Sequence, residues 1–482
     1  MTTRGSAQFS GERTMSNCTA SEKLAAFAAS VQYDALPESV QQKVLLHLLD
    51  TLGVGLAATV EEFAMRARAA IAPLAGRGRG RASVWGASSS WQTPWAALFN
   101  GMLAHGLDFD DTHAEAVLHV STTVVPAALA VAEATAISGR ELLAAIAAGM
   151  EVNARIGIAA PGGFHDRGFH PTGVCGAYGA AVAAARAMRL DASAMVHALG
   201  LAGSQAAGTL EFLGDGSWSK RLHAGWAAHA GIVAAQLGRA GFVGPRATLE
   251  GRFGLYRTHL GDGGWDASAV THDLGQNWRV LEISLKPYPA CHMVHAHIDA
   301  ARVLRERPGF RVDEIESIEA DIHERAVPVV CEPLEAKRAP RTDYEAKFSL
   351  PYVVASMLVR GHVGVADFTP AAIADEAVRA LAARVGYRPD ASSQYPRYFD
   401  GGLRIRLRNG DVWEHREPIN RGHPDKPLGR DEVIEKFRGN VARVWQEEEG
   451  EALLAAVQAL PRAKSLRQLQ RALRVPARPQ PS

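Results

Sequence analysis

Apolar residues before Trp278 recur mainly at the spacing of an α-helix. After Pro37, for example, Val40, Val44 and Leu48 follow one another every fourth residue and share one helical face. The same periodicity predicts further helices over 61–71, 94–107, 123–137, 141–158, 174–188 and 192–207. This part of the chain is therefore expected to be all helical.

The periodicity changes beyond Trp278. Residues 318–322 alternate between apolar and acidic, as in a strand with one solvated face. Residues 403–407 alternate between aliphatic and arginine, and Asn409-Gly410 then supplies a two-residue hairpin turn. Helical spacing is found over 292–304, 370–385, 430–445, 451–460 and 465–473. We therefore expect a mainly α fold with an α+β part.

Composition narrows the possible partners. The 482 residues include 52 Lys and Arg against 51 Asp and Glu, so no net field attracts nucleic acid or an anionic membrane. The four cysteines form no CxxC pair, which argues against a disulfide framework and suits a reducing cytoplasm. We recognise neither a signal peptide nor a transmembrane segment. The polar tails 1–18 and 476–482 are expected to be disordered.

The densest polar cluster follows the helix predicted over 94–107. If that helix continues, Asp108, Asp111 and Thr112 share one face, with His105 one turn earlier. His119 follows at the start of another helix, so a carboxylate and an imidazole would meet there. The alternative is that the aspartates only cap a helix.

The same segment also contains residue types that bind metals. His105, Asp108, Asp111 and His113 offer nitrogen and oxygen ligands over a short span. They do not follow a recognised spacing such as HExxH. We therefore expect a site without a metal.

A second cluster surrounds His170. Gly and Pro residues over 168–173 prevent regular structure before an alanine-rich helix, which places His170 on a loop at the helix entrance. The position suits anion binding, although a lone loop histidine is often without function. Cys175, just beyond it, is expected to be a packing residue.

Two further segments supply cations. Lys220 and Arg221 lie between glycines and a helix of small residues, where they could bind a carboxylate or form an exposed, solvated pair. Lys286 and His292 lie where the helical pattern gives way to the α+β pattern, and such boundaries favour ligand sites.

Several common reaction classes are disfavoured. We find no phosphate loop, no GxGxxG between strand and helix, and no GxSxG elbow. Acid–base chemistry on an anionic small molecule remains, in which cations stabilise an enolate-like carbanion beside a carboxylate.

From about Ser21 to Trp445, the chain resembles the MmgE/PrpD family. That family includes 2-methylcitrate dehydratases, cis-aconitate decarboxylases and iminodisuccinate epimerases. The matching segments are 50–54, 105–112, His119, 168–173, 219–225, 286–290, 345–349 and 422–428. The resemblance implies a discontinuous all-helical domain (19–279 and 417–475) with an inserted α+β lid (280–416). It also implies a homodimer that needs no metal or organic cofactor.

The resemblance carries site residues with it. Matching positions imply six active-site residues: Asp108, Thr112, His119, His170, Lys220 and Lys286. Our hypothesis is that the first four are catalytic and that the two lysines, helped by Arg221 and His292, hold substrate carboxylates. One position departs from the family pattern. Cys291 stands where the decarboxylases have a histidine, although His292 is adjacent, and this departure speaks against decarboxylation.

We therefore expect a cofactor-independent lyase that acts on a small di- or tricarboxylate by abstracting a proton next to a carboxylate. The first expectation is a hydro-lyase resembling 2-methylcitrate dehydratase. An epimerase of a dicarboxylate and a carboxy-lyase resembling cis-aconitate decarboxylase remain as alternatives. A noncatalytic carboxylate-binding protein is a further reading, which the presence of both histidines disfavours.

Overall fold

The computed structural model describes residues 18–76 and 80–478. It confirms the mainly α fold with an α+β part. The helices before the change of pattern are α1 Ala20–Ser30, α2 Glu38–Ala57, α3 Glu62–Ile71, α4 Thr93–Ala104, α5 Ser121–Thr135, α6 Gly139–Ile158, α7 Gly163–Asp166, α8 Pro171–Ala187, α9 Ala192–Gly203, α10 Phe212–Asp215, α11 Ser219–Arg239 and α12 Leu255–Leu260. Short antiparallel strands, β1 Ala82–Ser83 with β2 Ser90–Trp91, lie between α3 and α4.

Helix α2 runs through the interior. Among the described residues, Glu38–Val60 is the one helical stretch long and apolar enough to span a membrane, but 72% of its most apolar window is buried inside the protein. A Cβ on Gly53 would lie 2.9 Å from the ring of Phe437, which shows how closely the later helix α20 (Arg430–Val441) packs on it. The segment is therefore a buried helix of the protein core.

The small residues of α11 let it cross its neighbours at short distance. A Cβ on Gly225 would lie 2.1 Å from the carbonyl oxygen of Leu98 on α4, and one on Gly231 would lie 2.5 Å from the nitrogen of Ala181 on α8. Glycine at these two positions permits the contact. The packing fixes the first turn of α11, which carries Lys220.

The α+β part is built on a four-stranded sheet. Its strands, in spatial order, are β6 Val385–Pro389, β5 Ile315–Ile322, β7 Gly401–Leu407 and β8 Val412–Glu417. Strands β5 and β6 are parallel and the other pairs antiparallel. The expected strand and hairpin are confirmed. The helix expected over 370–385 is instead two short helices followed by β6.

The remaining helices flank the sheet or return to the helical part. Those near the sheet are α13 His295–Arg305, α14 Val327–Val330, α15 Leu334–Arg338, α16 Asp343–Lys347, α17 Leu350–Arg360, α18 Pro370–Ile373 and α19 Glu376–Ala382. Helices α21 Glu447–Gln458 and α22 Arg467–Leu473 follow α20. Two hydrophobic cores result, one within the helices and one around the sheet. The domain boundaries given above stay predictions.

The C-terminal tail differs in part from expectation. The amide of Ala477 donates to the carbonyl of Gly86 at 2.8 Å, and that of Arg478 donates to Val444 at 3.0 Å. Disorder was expected over 476–482, but the chain is ordered as far as residue 478 because its amides form hydrogen bonds with the helical part. Residues 479–482, and 1–17 of the N-terminal tail, lie outside the described residues.

Candidate active site

A cavity, partly open to solvent, lies where the helical part meets the sheet-bearing part. Seven of the eight site residues expected from the sequence line it: Asp108, Thr112, His119, His170, Lys220, Lys286 and His292. The cavity brings together segments far apart in sequence, from the ends and starts of several helices.

The loop before the cavity is not the helical continuation that we expected. Helix α4 ends at Ala104, three residues earlier than predicted, and Asp108 adopts a left-handed conformation with φ of 54°. Gly106, within this turn, packs against Phe63, where a Cβ would approach the ring to 2.2 Å. The expectation that Asp108 and Asp111 share a helical face is therefore wrong.

Asp108 is the counter-ion of both cavity lysines. Its carboxylate contacts the ammonium group of Lys220 directly and lies 3.1 Å from Nζ of Lys286, which also donates to the main-chain carbonyl of Asp108 at 2.9 Å. Burial opposes ionisation, but the two lysines outweigh it and hold the pKa of Asp108 well below its usual value. The cluster is a carboxylate between two cations.

Two elements place these lysines. Lys220 lies in the first turn of α11 and not on the loop that we expected, because the helix already begins at Ser219. Lys286 follows strand β4 (Ile283–Ser284), which pairs with β3 (Thr112–His113). This short ladder brings Lys286 beside the loop that carries Asp108.

His119 has a defined orientation. Its Nδ1 lies 2.7 Å from the main-chain carbonyl of Asp111, which can only accept, so Nδ1 carries the proton and the lone pair is on Nε2. Burial lowers the pKa of His119 to about 3; Asp110 opposes the shift, and the cavity lysines add to it. The ring is therefore neutral.

His170 immediately precedes α8, as the sequence predicts, and Pro171 opens the helix. Its Nδ1 lies 3.1 Å from Nδ1 of His223 on α11. Burial, together with the neighbouring imidazoles and Lys220, holds the pKa of His170 well below its usual value. This ring is also neutral. Cys175 is fully buried in the core, as expected of a packing residue.

Asp111 matches the capping alternative. Its carboxylate accepts the amides of Val120 and Ser121 at 3.1 and 3.0 Å, at the start of α5, and lies 2.7 Å from Nδ1 of His47. Negative charge at a helix N-terminus is favourable. Asp111 therefore fixes the backbone next to His119.

Sequence reasoning missed the part played by Asp110. Its carboxylate oxygen Oδ2 lies 2.6 Å from Nδ1 of His105 and 3.3 Å from Nδ1 of His119. Burial opposes its ionisation, but the two imidazoles outweigh it and lower the pKa of Asp110. Because the contact depends on the break after Ala104, the spacing of the residues alone does not indicate it.

Arg221 is the one expected site residue outside the cavity. Its guanidinium donates to Asp343 at 2.6 Å and to the carbonyl of Gly106 at 3.0 Å. The rings of Phe63 and Tyr344 lie 4.4 and 4.8 Å from it. The structure therefore places Arg221 between the two parts of the protein, away from the cavity lining.

The opposite wall comes from the sheet-bearing part and is largely apolar. Met293, Val329 and Phe399 line it, together with Cys291 and His292. The side-chain amide of Asn420 lies 2.9 Å from Nε2 of His292 and donates to it. Cys291, which replaces the expected histidine, thus lies in the cavity beside an imidazole that also lines it.

Fold and cavity together match one protein class. The MmgE/PrpD N-terminal domain matches residues 22–268, and the MmgE/PrpD C-terminal domain matches residues 288–462. The chain belongs to the MmgE/PrpD family.

Relatives refine the comparison. The chain is 30% identical to cis-aconitate decarboxylase of Homo sapiens over 443 residues, which cover 88% of each chain. It is 28% identical to the Mus musculus decarboxylase over 476 residues (95% of this chain and 93% of the relative). It is also 28% identical to a cis-aconitate decarboxylase-like protein of Aspergillus oryzae over 420 residues (84% and 86%). The family is thus one of lyases, and these relatives favour the carboxy-lyase alternative over the hydro-lyase that we expected first.

Proposed function

We propose that this protein is a cofactor-independent carboxy-lyase that decarboxylates a small unsaturated polycarboxylate, with cis-aconitate as the first candidate. The observation that carries the proposal is the cluster of Lys220, Asp108 and Lys286 facing His119 and His170 across one cavity. The names of the relatives add independent support. The homodimer implied by the resemblance and the cytoplasmic location suggested by the cysteines belong to the same proposal.

The lysines bind the substrate. Both ammonium groups are buried and held on Asp108, so they need little reorganisation to receive a carboxylate. Fixed cations also stabilise negative charge that develops during the reaction. Lys220 and Lys286 therefore both hold the substrate and stabilise its carbanion.

Decarboxylation then needs one proton. The bond between the methylene carbon and its carboxylate breaks, and the electron pair forms a new double bond to the central carbon. The electrons of the former double bond take a proton at the far carbon, CO₂ leaves, and itaconate results. We assign delivery of this proton to His119 or His170, because substrate carboxylates raise the pKa of a nearby imidazole.

The test is proton NMR in D₂O with EDTA, with cis-aconitate, 2-methylcitrate, citrate and iminodisuccinate offered separately. We expect itaconate from cis-aconitate, with one deuterium on the carbon that takes the proton. His119→Gln and Lys220→Met should each lower turnover by about 100-fold or more. The control is His272→Gln, whose side chain is 69% exposed.

A hydro-lyase is the second candidate function. It is favoured by the neutral state of His119, because a neutral imidazole can abstract a proton. New vinyl signals from a hydroxy acid, without reaction of cis-aconitate, would establish that alternative. Deuterium entering iminodisuccinate with loss of its stereochemistry would establish the epimerase. If no carboxylate in the series reacts, the proposal is wrong.

A further inference from the structure

Three imidazoles converge beside the lysine cluster, and one of them has no part in the proposed reaction. Among residues 18–76 and 80–478, one ring nitrogen from each of His105, His119 and His170 lies within 4.8 Å of the others. The ring centroid of His105 lies 4.7 Å from that of His119 and 5.5 Å from that of His170. His105 does not line the cavity but lies directly behind the two rings that do.

The Nδ1 atom of each ring is already engaged by a protein group. Asp110 holds that of His105 at 2.6 Å, the carbonyl of Asp111 holds that of His119 at 2.7 Å, and His223 faces that of His170 at 3.1 Å. Metal-binding histidines typically have one ring nitrogen fixed by a carboxylate, a carbonyl or a similar partner, which leaves the other for the metal. In all three rings Nδ1 has such a partner, so the metal would take Nε2 of each, with Nδ1–H of His170 donating to His223.

A second observation points to a missing ligand. The side chain of His105 is fully buried, and its Nε2 atom has no hydrogen-bond partner in the described part of the chain. A buried polar atom without a partner is costly and calls for an explanation. With Nδ1 given to Asp110, this Nε2 atom has a lone pair and nothing to share it with.

We propose that His105, His119 and His170 can bind one divalent first-row transition-metal ion as an inhibitor, with Zn²⁺ as the first candidate. Neutral imidazoles suit this class of ion, and a site with three protein ligands leaves a fourth position for water or a carboxylate. Bonds of about 2.1 Å require nitrogens about 3.4 Å apart. The observed spacing of up to 4.8 Å is wider than this value, so the three rings must move towards the ion when it binds.

The charges around the cluster permit a cation. The charges of Lys220 and Lys286 are compensated in part by Asp108, and the carboxylate of Asp110 contacts two of the three rings.

Metal binding at this cluster would inhibit the proposed reaction. The metal would occupy the lone pairs of His119 and His170, whereas the proposed reaction needs them free to exchange a proton.

Binding is measured on the full chain after treatment with EDTA, so that the result does not depend on the proposed activity. Zn²⁺ is titrated by calorimetry and Co²⁺ by visible absorption. We expect one equivalent to bind with tetrahedral Co²⁺ bands. His105→Gln should weaken binding at least 100-fold, and Asp110→Asn should weaken it about 10- to 100-fold.

Two variants serve as matched controls. His165 and Cys291 line the same cavity but lie outside the three-histidine cluster, so His165→Gln and Cys291→Ser should bind both metals like the wild type. Circular dichroism checks that each variant is folded. If His105→Gln does not fold, the wild-type Co²⁺ spectrum still decides, because a sulfur-to-metal band would reveal a thiolate ligand.

Three results would overturn the inference. One is wild-type affinity in folded His105→Gln, the second is a thiolate band or loss of binding in Cys291→Ser, and the third is no stoichiometric binding at micromolar Zn²⁺. Where the protein proves active, Zn²⁺ should inhibit it with the affinity measured by calorimetry, and EDTA should restore the rate.

Discussion

The ammonium group of Lys286 contacts Asp108 twice, at 3.1 Å through the carboxylate and at 2.9 Å through the main-chain carbonyl. One residue therefore holds the lysine by both its side chain and its backbone. The left-handed conformation of Asp108 makes this possible, since it turns both acceptors towards the same ammonium group. Because Asn also tolerates this conformation, Asp108→Asn can remove the charge without adding backbone strain.

We predict that Asp108→Asn destabilises the protein and abolishes turnover. It leaves two buried lysines without their counter-ion, and breaking a buried ion pair typically costs about 3–5 kcal/mol. Denaturant titration and kcat/KM measure the two effects. Combining Asp108→Asn with Lys220→Met removes one of the stranded charges and should recover part of the stability but no activity. An unchanged free energy of unfolding in Asp108→Asn would show that the cluster is not ionic.

Lys347 joins the two parts of the protein beside the cavity. Its buried ammonium group donates to the carbonyl of Leu107 at 2.9 Å and to that of Pro289 at 3.1 Å. Leu107 immediately precedes Asp108, and Pro289 lies in the segment that begins with Lys286. We predict that Lys347→Met lowers kcat/KM by about 100-fold, since small displacements of binding groups have effects of this size.

The matched control for Lys347 is Lys337. It also donates to two carbonyls, those of Val329 and Phe348. Both residues line the cavity, but both lie in the sheet-bearing part, so Lys337 does not join the two parts. Lys337→Met should therefore lower the thermal midpoint with a much smaller effect on kcat/KM. Equal losses of kcat/KM in the two variants would show that the link between the two parts is not what matters.

Local pattern accounts for much of the fold and for less of the site. The Asn409-Gly410 turn and the apolar face of α2 could be predicted because they depend on neighbours in sequence. The end of α4 at Ala104 could not, since the turn that follows it has partners distant in sequence: Phe63 packs on Gly106, and Lys220 and Lys286 pair with Asp108. The partners of Asp108 and Asp110 follow from that break.

Arg221 was expected from the sequence to help hold the substrate, but it lies outside the residues that line the cavity. We predict that Arg221→Lys leaves KM within about twofold and lowers the free energy of unfolding by about 1–2 kcal/mol, because Lys cannot bond Asp343 and the Gly106 carbonyl together while contacting the rings of Phe63 and Tyr344. Asp343→Asn should behave similarly, since Asp343 is the acidic partner of Arg221. A tenfold rise in KM with unchanged stability would return Arg221 to the substrate site.

Glu133 provides a pH dependence far from the cavity chemistry. Its carboxylate is buried and accepts the amide of Ser83 at 2.5 Å. Burial raises the pKa of Glu133 from 4.5 to about 7, against the opposing effects of Ser83 and Arg474. Between these two values the folded protein holds a proton that the unfolded chain has lost. Its contribution to stability is therefore complete below pH 4.5 and is lost as the pH rises to 7.

Glu133→Gln removes this titration while keeping an acceptor for Ser83. We predict that the free energy of unfolding of the variant, relative to that of the wild type, increases by up to about 3 kcal/mol as the pH rises from 5 to 8. Glu141 is the control, because its pKa is shifted in the opposite direction. The hydrogen bond from Arg189 lowers the pKa of Glu141 to about 2. Glu141→Gln should destabilise the protein at neutral pH and lose that effect in acid. Parallel pH profiles of wild type and Glu133→Gln would show that Glu133 is already ionised in the folded protein at pH 5.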